Sequence, residues 1–240
     1  MTTPTSPANA PLPAPEKQPS PPALMEFLGL ISLAVAVLSL FLFAWLAEEM
    51  RENDVANFDS TIRSWVHSFA SPRLTDAMTI ISLFGYNILI VGVIGSIAIF
   101  LWLRWRRAAA FMAITMFGAG VLDATLKSAF HRVRPQVFFG IAPTNYSFPS
   151  GHALASCCFY SVLAGLIAHR VKSMPIRIAV GVLAAFMVAA IGFSRIYLGM
   201  HYPSDVIAGY LAAAVWVSAM LSLDSYRVRR RTRRTQPKPA

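Results

Sequence analysis

The sequence predicts an all-α fold, a bundle of six transmembrane helices. Hydrophobic residues make up 56% of the 240 residues and charged residues only 13%, whereas an ordinary soluble domain has about 25% charged residues. The apolar residues fall into six runs, each about as long as a helix that crosses a bilayer. The net charge of +10 would suggest nucleic acid binding in a soluble protein. Here the cations flank apolar runs, so membrane topology explains them and no nucleic-acid partner is expected.

The first 23 residues contain eight of the sixteen prolines and few large apolar side chains. Such a segment cannot bury enough surface to offset its chain entropy, so a disordered tail is predicted over residues 1–23. A signal peptide is not expected, because the beginning is not basic and the apolar run that follows is too long. That run, Phe27–Leu46, is predicted to be the first membrane span and a retained anchor.

The connection over residues 52–76 is polar overall but carries one apolar stripe with helical spacing. Two interpretations fit a short helix here: it lies in the membrane interface, or its stripe packs against the neighbouring spans. Packing is favoured, because the apolar stripe of a helix is usually a packing face. The stripe consists of Phe58, Ile62, Trp65, Val66 and Phe69.

Five further apolar runs complete the predicted six-span domain, residues 24–224, which a basic tail follows over residues 225–240. Cys157 and Cys158 are adjacent in the fourth span, so they are predicted to be small buried residues that form no disulfide. The five runs are Phe84–Leu103, Ala108–Leu126, Ala153–Ala168, Ile178–Ile196 and Val206–Leu223.

The basic residues lie on one side of the predicted topology. Six spans place both termini on the same side, and the basic turns at residues 104–107 and 170–177 fall there too. The positive-inside rule makes this side cytoplasmic. The loops at residues 128–150 and 197–204 would then lie at the extracytoplasmic face of the cell membrane.

Three polar motifs occupy those two loops and the ends of the adjoining spans. In the first, a lysine is followed after six residues by Arg-Pro, and the second is Pro-Ser-Gly-His. In the third, Ser-Arg is followed after five residues by histidine and after three more by aspartate. The motif residues are Lys127, Arg134 and Pro135; Pro149, Ser150, Gly151 and His152; and Ser194, Arg195, His201 and Asp205.

Three of these residues are cations that would converge at one membrane face. Like charges repel each other unless an anion lies between them, and a phosphate group fits such a site. Ser150 and Gly151 begin a predicted helix, whose free N–H groups and positive dipole end also suit phosphate. Each cation alone would be interpreted as snorkelling to the lipid headgroups. Because histidines are expected at the same depth, a shared anion site formed by Lys127, Arg134 and Arg195 is favoured over three cations that act separately.

Two histidines and a carboxylate indicate catalysis. A carboxylate that is hydrogen-bonded to one ring nitrogen leaves the other nitrogen free to attack, and His201 and Asp205 suit these two roles. His152, in the first turn of the predicted helix, is placed to donate a proton. Asp123 has the i, i+4 spacing of an ion pair with Lys127, and a structural role is preferred for it.

In these three motifs the chain resembles the type 2 phosphatidic acid phosphatases (PAP2), also called lipid phosphate phosphatases. Their motifs are K-x6-RP, PSGH and SR-x5-H-x3-D, and the resemblance covers about residues 54–223. It implies a haloperoxidase-like helical core in which His201 forms a phosphohistidine, Asp205 supports it, and His152 protonates the leaving oxygen and then helps to activate water. It implies no metal and no other cofactor. The residues expected to hold the phosphate are Lys127, Arg134, Ser150, Gly151 and Arg195.

The resemblance therefore implies a membrane enzyme that hydrolyses a phosphate or diphosphate ester of a lipid. Undecaprenyl diphosphate, phosphatidic acid and phosphatidylglycerol phosphate all remain open, because the motifs bind the phosphate that these lipids share. Phosphate transfer between lipids also remains open, since a second hydroxyl could attack a phosphohistidine. A non-catalytic lipid-binding or transport protein is the alternative from another class, and the intact His152, His201 and Asp205 argue against it. The sequence does not indicate an oligomeric state.

Overall fold

The computed structural model describes residues 21–141 and 143–235, which form eight helices and no strand. Within these ranges six helical segments are long and apolar enough to cross a membrane, which confirms the predicted all-α, six-span architecture. The helices are α1 (Pro21–Glu52), α2 (Ala56–His67), α3 (Pro72–Leu83), α4 (Asn87–Trp102), α5 (Arg106–Phe130), α6 (Gly151–Arg170), α7 (Met174–Tyr197) and α8 (Pro203–Thr235).

The second membrane segment is longer than predicted. It runs over Pro72–Trp102 and consists of α3 and α4, with a short break at residues 84–86. The predicted start at Phe84 was therefore wrong, because the segment begins one helix earlier, at Pro72. The polar side chains of α3, among them Thr75 and Asp76, gave this segment the composition of a connection. Its position against α7 is fixed by polar contacts, since Thr75 Oγ1 lies 2.9 Å from the Tyr197 hydroxyl.

α6 is the central helix of the bundle, in contact with α4, α5, α7 and α8, while α1 lies along α8. One core cluster joins α1, α5, α6 and α8, and a second joins α4, α5 and α6. The outer faces of the spans expose large apolar side chains, as expected of surfaces that contact lipid chains. The first cluster includes Phe43, Leu46, Ala119, Phe148, Leu154 and Ala212.

The helix directions place the three motifs at one end of the bundle and the basic turns at the other. At the basic end, the Arg107 guanidinium donates to the Asp224 carboxylate of α8 at 2.6 and 2.7 Å. The Arg170 guanidinium lies 4.2 Å from the ring centroid of Trp105, so the turns after α4 and α6 are neighbours. This arrangement agrees with the predicted grouping of cations opposite the motifs.

The predicted stripe of α2 is divided between two environments. Val66 is buried and Ile62 packs in its cluster, as the packing interpretation requires. For the three aromatic residues that interpretation was wrong, because their side chains are between 44% and 60% exposed. The face that turns inward is centred instead on Asp59, which is 1% exposed. The exposed aromatic residues are Phe58, Trp65 and Phe69.

Neither predicted domain boundary coincides with the end of a helix. Residues 1–20 of the predicted disordered tail lie outside the described residues, and residues 21–23 belong to α1. α8 continues without a break to Thr235 and so includes most of the predicted tail over residues 225–240. Cys157 and Cys158 are free thiols, and Cys158 is buried while Cys157 is partly buried.

Gly118 of α5 faces the indole ring of Trp216 on α8. A Cβ atom on residue 118 would lie 2.0 Å from Cζ2 of Trp216, whose Nε1 donates to the Thr115 carbonyl at 2.9 Å. We expect Gly118→Ala to displace the indole and to lower the free energy of unfolding by about 1–3 kcal/mol, the usual cost of overpacking. Thermal unfolding of the purified protein in detergent measures this loss.

Gly120→Ala is the matched control, because no heavy atom of a neighbouring helix, among the residues that the structure describes, lies within 4 Å of its added Cβ. Alanine is also favoured over glycine inside a helix by about 1 kcal/mol. The unfolding midpoint of Gly120→Ala should equal or exceed that of the unmodified protein. Equal midpoints for the two variants would contradict the packing of Trp216 onto α5.

Candidate active site

All eight predicted site residues lie together where α5, α6, α7 and α8 end or begin. Lys127 is in the last turn of α5, the second motif starts α6, Arg195 is in the last turn of α7, and Asp205 is in the first turn of α8. Arg134 and His201 come from the two loops between these helices. Lys127, Arg134 and Arg195 all lie close enough to His152 for their positive charges to act on its side chain.

His201 is 2% exposed, and both nitrogens of its imidazole have neighbours. Nδ1 lies 3.4 Å from Oδ2 of Asp205, and Nε2 lies 3.1 Å from Nη1 of Arg134. A guanidinium can only donate, so Nε2 accepts in this contact and Nδ1 carries the ring proton towards Asp205. In this tautomer the Nε2 lone pair is directed away from the carboxylate, as a nucleophile requires.

Burial keeps the His201 ring uncharged at neutral pH. It lowers the pKa of His201 from 6.5 to about 4, a shift that Asp205 opposes and that Arg134 and Arg195 reinforce. Burial also lowers the pKa of Arg134. Because a guanidinium starts from a pKa far above 7, Arg134 remains a cation beside a neutral imidazole.

The carboxylate of Asp205 joins all three motif regions. Oδ2 accepts hydrogen bonds from the Tyr202 backbone N–H at 2.9 Å and from the Ser147 hydroxyl. Oδ1 accepts from Nη1 of Arg132 at 2.6 Å. The backbone carbonyl of Asp205 accepts from the Ser150 N–H at 2.9 Å, which ties the start of α8 to the start of α6.

The three cations expected to hold phosphate are fixed by different partners. Arg134 donates from Nη1 to the Met200 carbonyl at 2.8 Å and from Nε and Nη2 to the carbonyl and side chain of Asn145. Lys127 donates to both oxygens of Asp123 at 2.5 and 2.6 Å, so the predicted ion pair is confirmed. A Cβ atom on Gly151 would lie 2.8 Å from Oδ1 of Asp123, which shows that this pair packs directly against the start of α6.

Two buried polar atoms of the predicted site have no hydrogen-bond partner among the described residues. The Arg195 guanidinium donates from Nη1 to the Ser82 hydroxyl at 2.6 Å, but its Nε has no acceptor. Ser150 stands at the N-cap of α6, as predicted, yet its hydroxyl makes no capping hydrogen bond. Buried polar groups are almost always hydrogen-bonded. Both atoms are therefore available to donate a hydrogen bond to a ligand with acceptor oxygens.

His152 lies beside the break between α3 and α4. Its imidazole stacks on the Tyr86 ring at a centroid distance of 5.7 Å and an interplanar angle of 26°. The sequence does not indicate that Tyr86 or Ser82 lies near the site, because no spacing links the α3–α4 segment to the motifs. The segment supplies one contact to His152 and one to Arg195.

Three further residues at the site were also missed. Arg132 lies in the six-residue spacer of the first motif, where the motif specifies no residue type, and Ser147 lies just before the second motif. For Asp59 a signal was available, since it is a lone carboxylate on the helical face of Ile62 and Val66. Its carboxylate is bonded to the Arg132 guanidinium at 2.8 Å.

Within residues 21–141 and 143–235, no three His, Cys, Asp or Glu side chains are grouped so that they could hold a metal ion. The donors at the site are instead the guanidinium, ammonium and imidazole groups described above. That catalysis needs no metal and no other cofactor remains a prediction.

The model of the PAP2 superfamily matches residues 107–229, about half of the chain. The chain belongs to the PAP2 superfamily. It is 30% identical over 178 residues to phosphatidylglycerophosphatase B of Bacillus subtilis, an alignment that covers 72% of this chain and 86% of that protein. It is 31% identical over 151 residues to an undecaprenyl-diphosphatase of Sulfolobus acidocaldarius, with 60% of this chain and 68% of that protein covered.

The fold is also shared with a PAP2 protein of known structure. The crystal structure of a transmembrane PAP2-type phosphatidylglycerolphosphate phosphatase from Bacillus subtilis superposes with a TM-score of 0.70 at 25% identity. The superposition covers 84% of this chain and 98% of that one. The predicted family, membrane fold and enzyme class are therefore confirmed: this PAP2 protein is a multi-pass membrane phosphatase that hydrolyses lipid phosphate esters.

The lowered pKa of His201 predicts that this PAP2 phosphatase loses stability in mild acid. An unfolded histidine titrates near 6.5, whereas folded His201 titrates at about 4. Between these values only the unfolded chain takes up the proton, so the free energy of unfolding falls as the pH falls through this window. Thermal unfolding at pH 7 and pH 5 should show a drop in midpoint that is smaller in His201→Gln.

Ser156→Ala is the control for this comparison, because Ser156 is buried in α6 and does not titrate. Its drop between the two pH values should match that of the unmodified protein. A drop that is just as large in His201→Gln would mean that His201 is not the buried neutral imidazole described here.

Proposed function

We propose that this phosphatase cleaves its lipid substrate through a covalent phosphohistidine at His201. The observation that carries the proposal is a pair of buried atoms, Ser150 Oγ and Arg195 Nε, which have no hydrogen-bond partner in the part of the chain that the structure describes. A phosphoryl group would give both atoms an acceptor oxygen. It would also place an anion next to Lys127 and Arg134, where charge-assisted hydrogen bonds are strong.

In the first step, Nε2 of His201 attacks phosphorus while the bond to the lipid oxygen breaks. His152 gives its proton to that oxygen, so the lipid alcohol leaves uncharged. The phosphorylated ring keeps its proton on Nδ1 and is positively charged, and Asp205 supplies the counter-charge. Arg134, which contacts Nε2 in the structure, exchanges this contact for a phosphate oxygen.

In the second step, His152 takes a proton from water, and the water oxygen attacks phosphorus. The phosphorus–nitrogen bond breaks, inorganic phosphate leaves, and His201 is neutral again. In both steps negative charge is spread over the three non-bridging oxygens. Fixed cations and N–H groups around those oxygens, with Gly151 allowing close approach of the backbone, stabilise both transition states.

For the substrate we propose a phosphate monoester of a glycerophospholipid, with phosphatidylglycerol phosphate as the first candidate and phosphatidic acid as the second. Support comes from the phosphatidylglycerophosphatase of Bacillus subtilis, which aligns over 86% of its length. Undecaprenyl diphosphate is the alternative, because the Sulfolobus relative that acts on it is equally similar in identity.

We also propose that the site faces the extracytoplasmic side and that both termini are cytoplasmic. The arginine-rich turns lie at the opposite end of the bundle from the motifs, and such turns are normally retained in the cytoplasm. A cysteine at position 143 should then react with an impermeant maleimide on intact cells, while one at position 174 should require permeabilised cells. The reverse pattern would invert this topology.

Phosphate release from mixed micelles tests the reaction and the substrate together. We expect phosphatidylglycerol phosphate to have the highest kcat/KM among the three lipids and release to continue in a chelator. His201→Ala should abolish release, because it removes the proposed nucleophile, while His169→Ala, an exposed histidine at the other end of α6, should not. Normal turnover by His201→Ala, or activity that requires added magnesium, would refute the mechanism.

Ser150→Ala separates binding of a ligand from support of the fold. Its hydroxyl has no hydrogen-bond partner within residues 21–141 and 143–235, so its removal should leave the unfolding midpoint unchanged or raise it. A hydrogen bond to a charged group contributes about 1.5–3 kcal/mol, so kcat/KM should fall about 10- to 100-fold.

Ser156→Ala is the matched variant, since Ser156 is equally buried in α6 but donates to the Ala153 carbonyl at 3.2 Å. It should keep full activity and lose a little stability. Wild-type kcat/KM in Ser150→Ala would mean that this hydroxyl does not contact the substrate.

A further inference from the structure

The nucleophile is tied to a helix that carries none of the three motifs. We infer that Asp59 of α2, acting through Arg132, is a positioning residue that holds the Asp205 carboxylate in the orientation needed by His201. The inference rests on the proposed role of His201 as nucleophile.

The contacts form one continuous chain. Arg132 donates from Nη1 to Oδ1 of Asp205 at 2.6 Å and from Nη2 to Oδ2 of Asp59 at 2.8 Å. Ser204 closes the chain, because its hydroxyl accepts from Arg132 at 2.7 Å and donates to Asp59 at 2.6 Å, while its N–H donates to Oδ1 of Asp59 at 2.9 Å. The Arg132 guanidinium also lies 4.1 Å from the Tyr202 ring centroid.

This chain fixes which oxygen of Asp205 faces the nucleophile. With Oδ1 bonded to Arg132, only Oδ2 is left for His201. A guanidinium that bonds a single carboxylate can turn with it, whereas one that is held by carboxylates on both sides cannot. By its hydrogen bond to Arg132, Asp59 thus prevents the Arg132–Asp205 pair from rotating.

Asp59 also balances charge at the site. Arg132 and Asp205 alone would sum to zero, and the positively charged phosphohistidine ring would lose its counter-ion. With Asp59 included, two carboxylates are hydrogen-bonded to one guanidinium, and these three side chains together keep one negative charge. Asp59 and Asp205 are 1% and 0% exposed and Arg132 13%, so water screens these charges weakly.

α2 is also held by contacts in which the Asp59 side chain takes no part. Val66 packs in a cluster with Tyr197 and Leu198, and the Arg63 guanidinium donates to the Gln136 carbonyl at 2.7 Å. The groups proposed to hold phosphate do not contact Asp59 or Arg132. Removing the Asp59 charge should therefore slow the chemical step without weakening phosphate binding.

The test compares kcat, KM and inhibition by inorganic phosphate in Asp59→Asn. We expect kcat to fall about 10²-fold, the usual effect of a catalytic group displaced by about 1 Å, with KM and the phosphate inhibition constant within about twofold of wild type. Asp59→Glu restores the charge and should recover at least a tenth of wild-type kcat. Asp76→Asn, an exposed carboxylate on α3, is the matched control and should behave as wild type.

Wild-type kcat in Asp59→Asn would overturn the inference. So would a parallel rise in KM and in the phosphate inhibition constant, which would indicate that the whole site had loosened. If Asp59→Asn does not fold, Arg132→Lys decides, because an ammonium keeps the charge but cannot bridge two carboxylates in fork geometry. The same selective loss of kcat supports the inference, and wild-type kcat or failure of both variants to fold refutes it.

His201→Ala, assayed in parallel, separates this inference from the proposed function. If His201→Ala turns over like wild type, the proposed function fails whatever Asp59 does. If His201→Ala is inactive while Asp59→Asn keeps wild-type kcat, only the positioning role of Asp59 fails.

Discussion

The buried carboxylate of Asp205 is the constraint on which the site depends. A buried carboxylate without partners would cost several kcal/mol, so the fold must bring a donor to each of its oxygens. The donors come from distant parts of the chain, since Arg132 is 73 residues away and Ser147 is 58. Satisfying this one group therefore draws the loop between α5 and α6 onto the start of α8 and places His201 between them.

The distribution of charge explains why the assembled site suits an anion. Lys127 is paired with Asp123, and Arg132 is paired with two carboxylates. Among the described residues, neither Arg134 nor Arg195 has a carboxylate within ion-pair distance, and both bond only to neutral oxygens or to an imidazole. These two guanidinium groups leave a net positive charge, which a phosphate would neutralise in a geometry that guanidinium groups favour.

The sequence predicted what depends on composition and spacing, namely the six spans, the motif positions and the Lys127–Asp123 pair. It missed α3, because polar side chains such as Thr75 bond to other helices and so are compatible with a membrane segment. It also predicted one packing face for the whole apolar stripe of α2, which holds only for Ile62 and Val66. In a membrane protein the outer surface is apolar too, so an apolar stripe cannot distinguish Phe58 and Trp65, which face outward, from Val66, which faces the core.

The positioning residues could not be predicted for a different reason. Asp59 and Arg132 are 73 residues apart, and only the tertiary fold reveals that they share one hydrogen-bonded chain with Asp205. The free hydroxyl of Ser150 is a similar case, since its position at a helix start predicts a capping bond that the structure does not have. In both cases the structure differs from what the local sequence predicts, and the difference lies at the site. Functional sites are where local sequence rules are expected to fail.

The central claim is that His201 becomes covalently phosphorylated, and trapping of the phosphoenzyme tests it most directly. His152→Ala should be mixed with para-nitrophenyl phosphate carrying labelled phosphorus, whose leaving group needs no proton from the enzyme, and quenched in base. Without His152 the activation of water is slowed, so the intermediate accumulates. The account predicts base-stable label on the peptide that contains His201 and none in the His152→Ala/His201→Ala double variant. Turnover without any protein-bound label, or label on another residue, would contradict it.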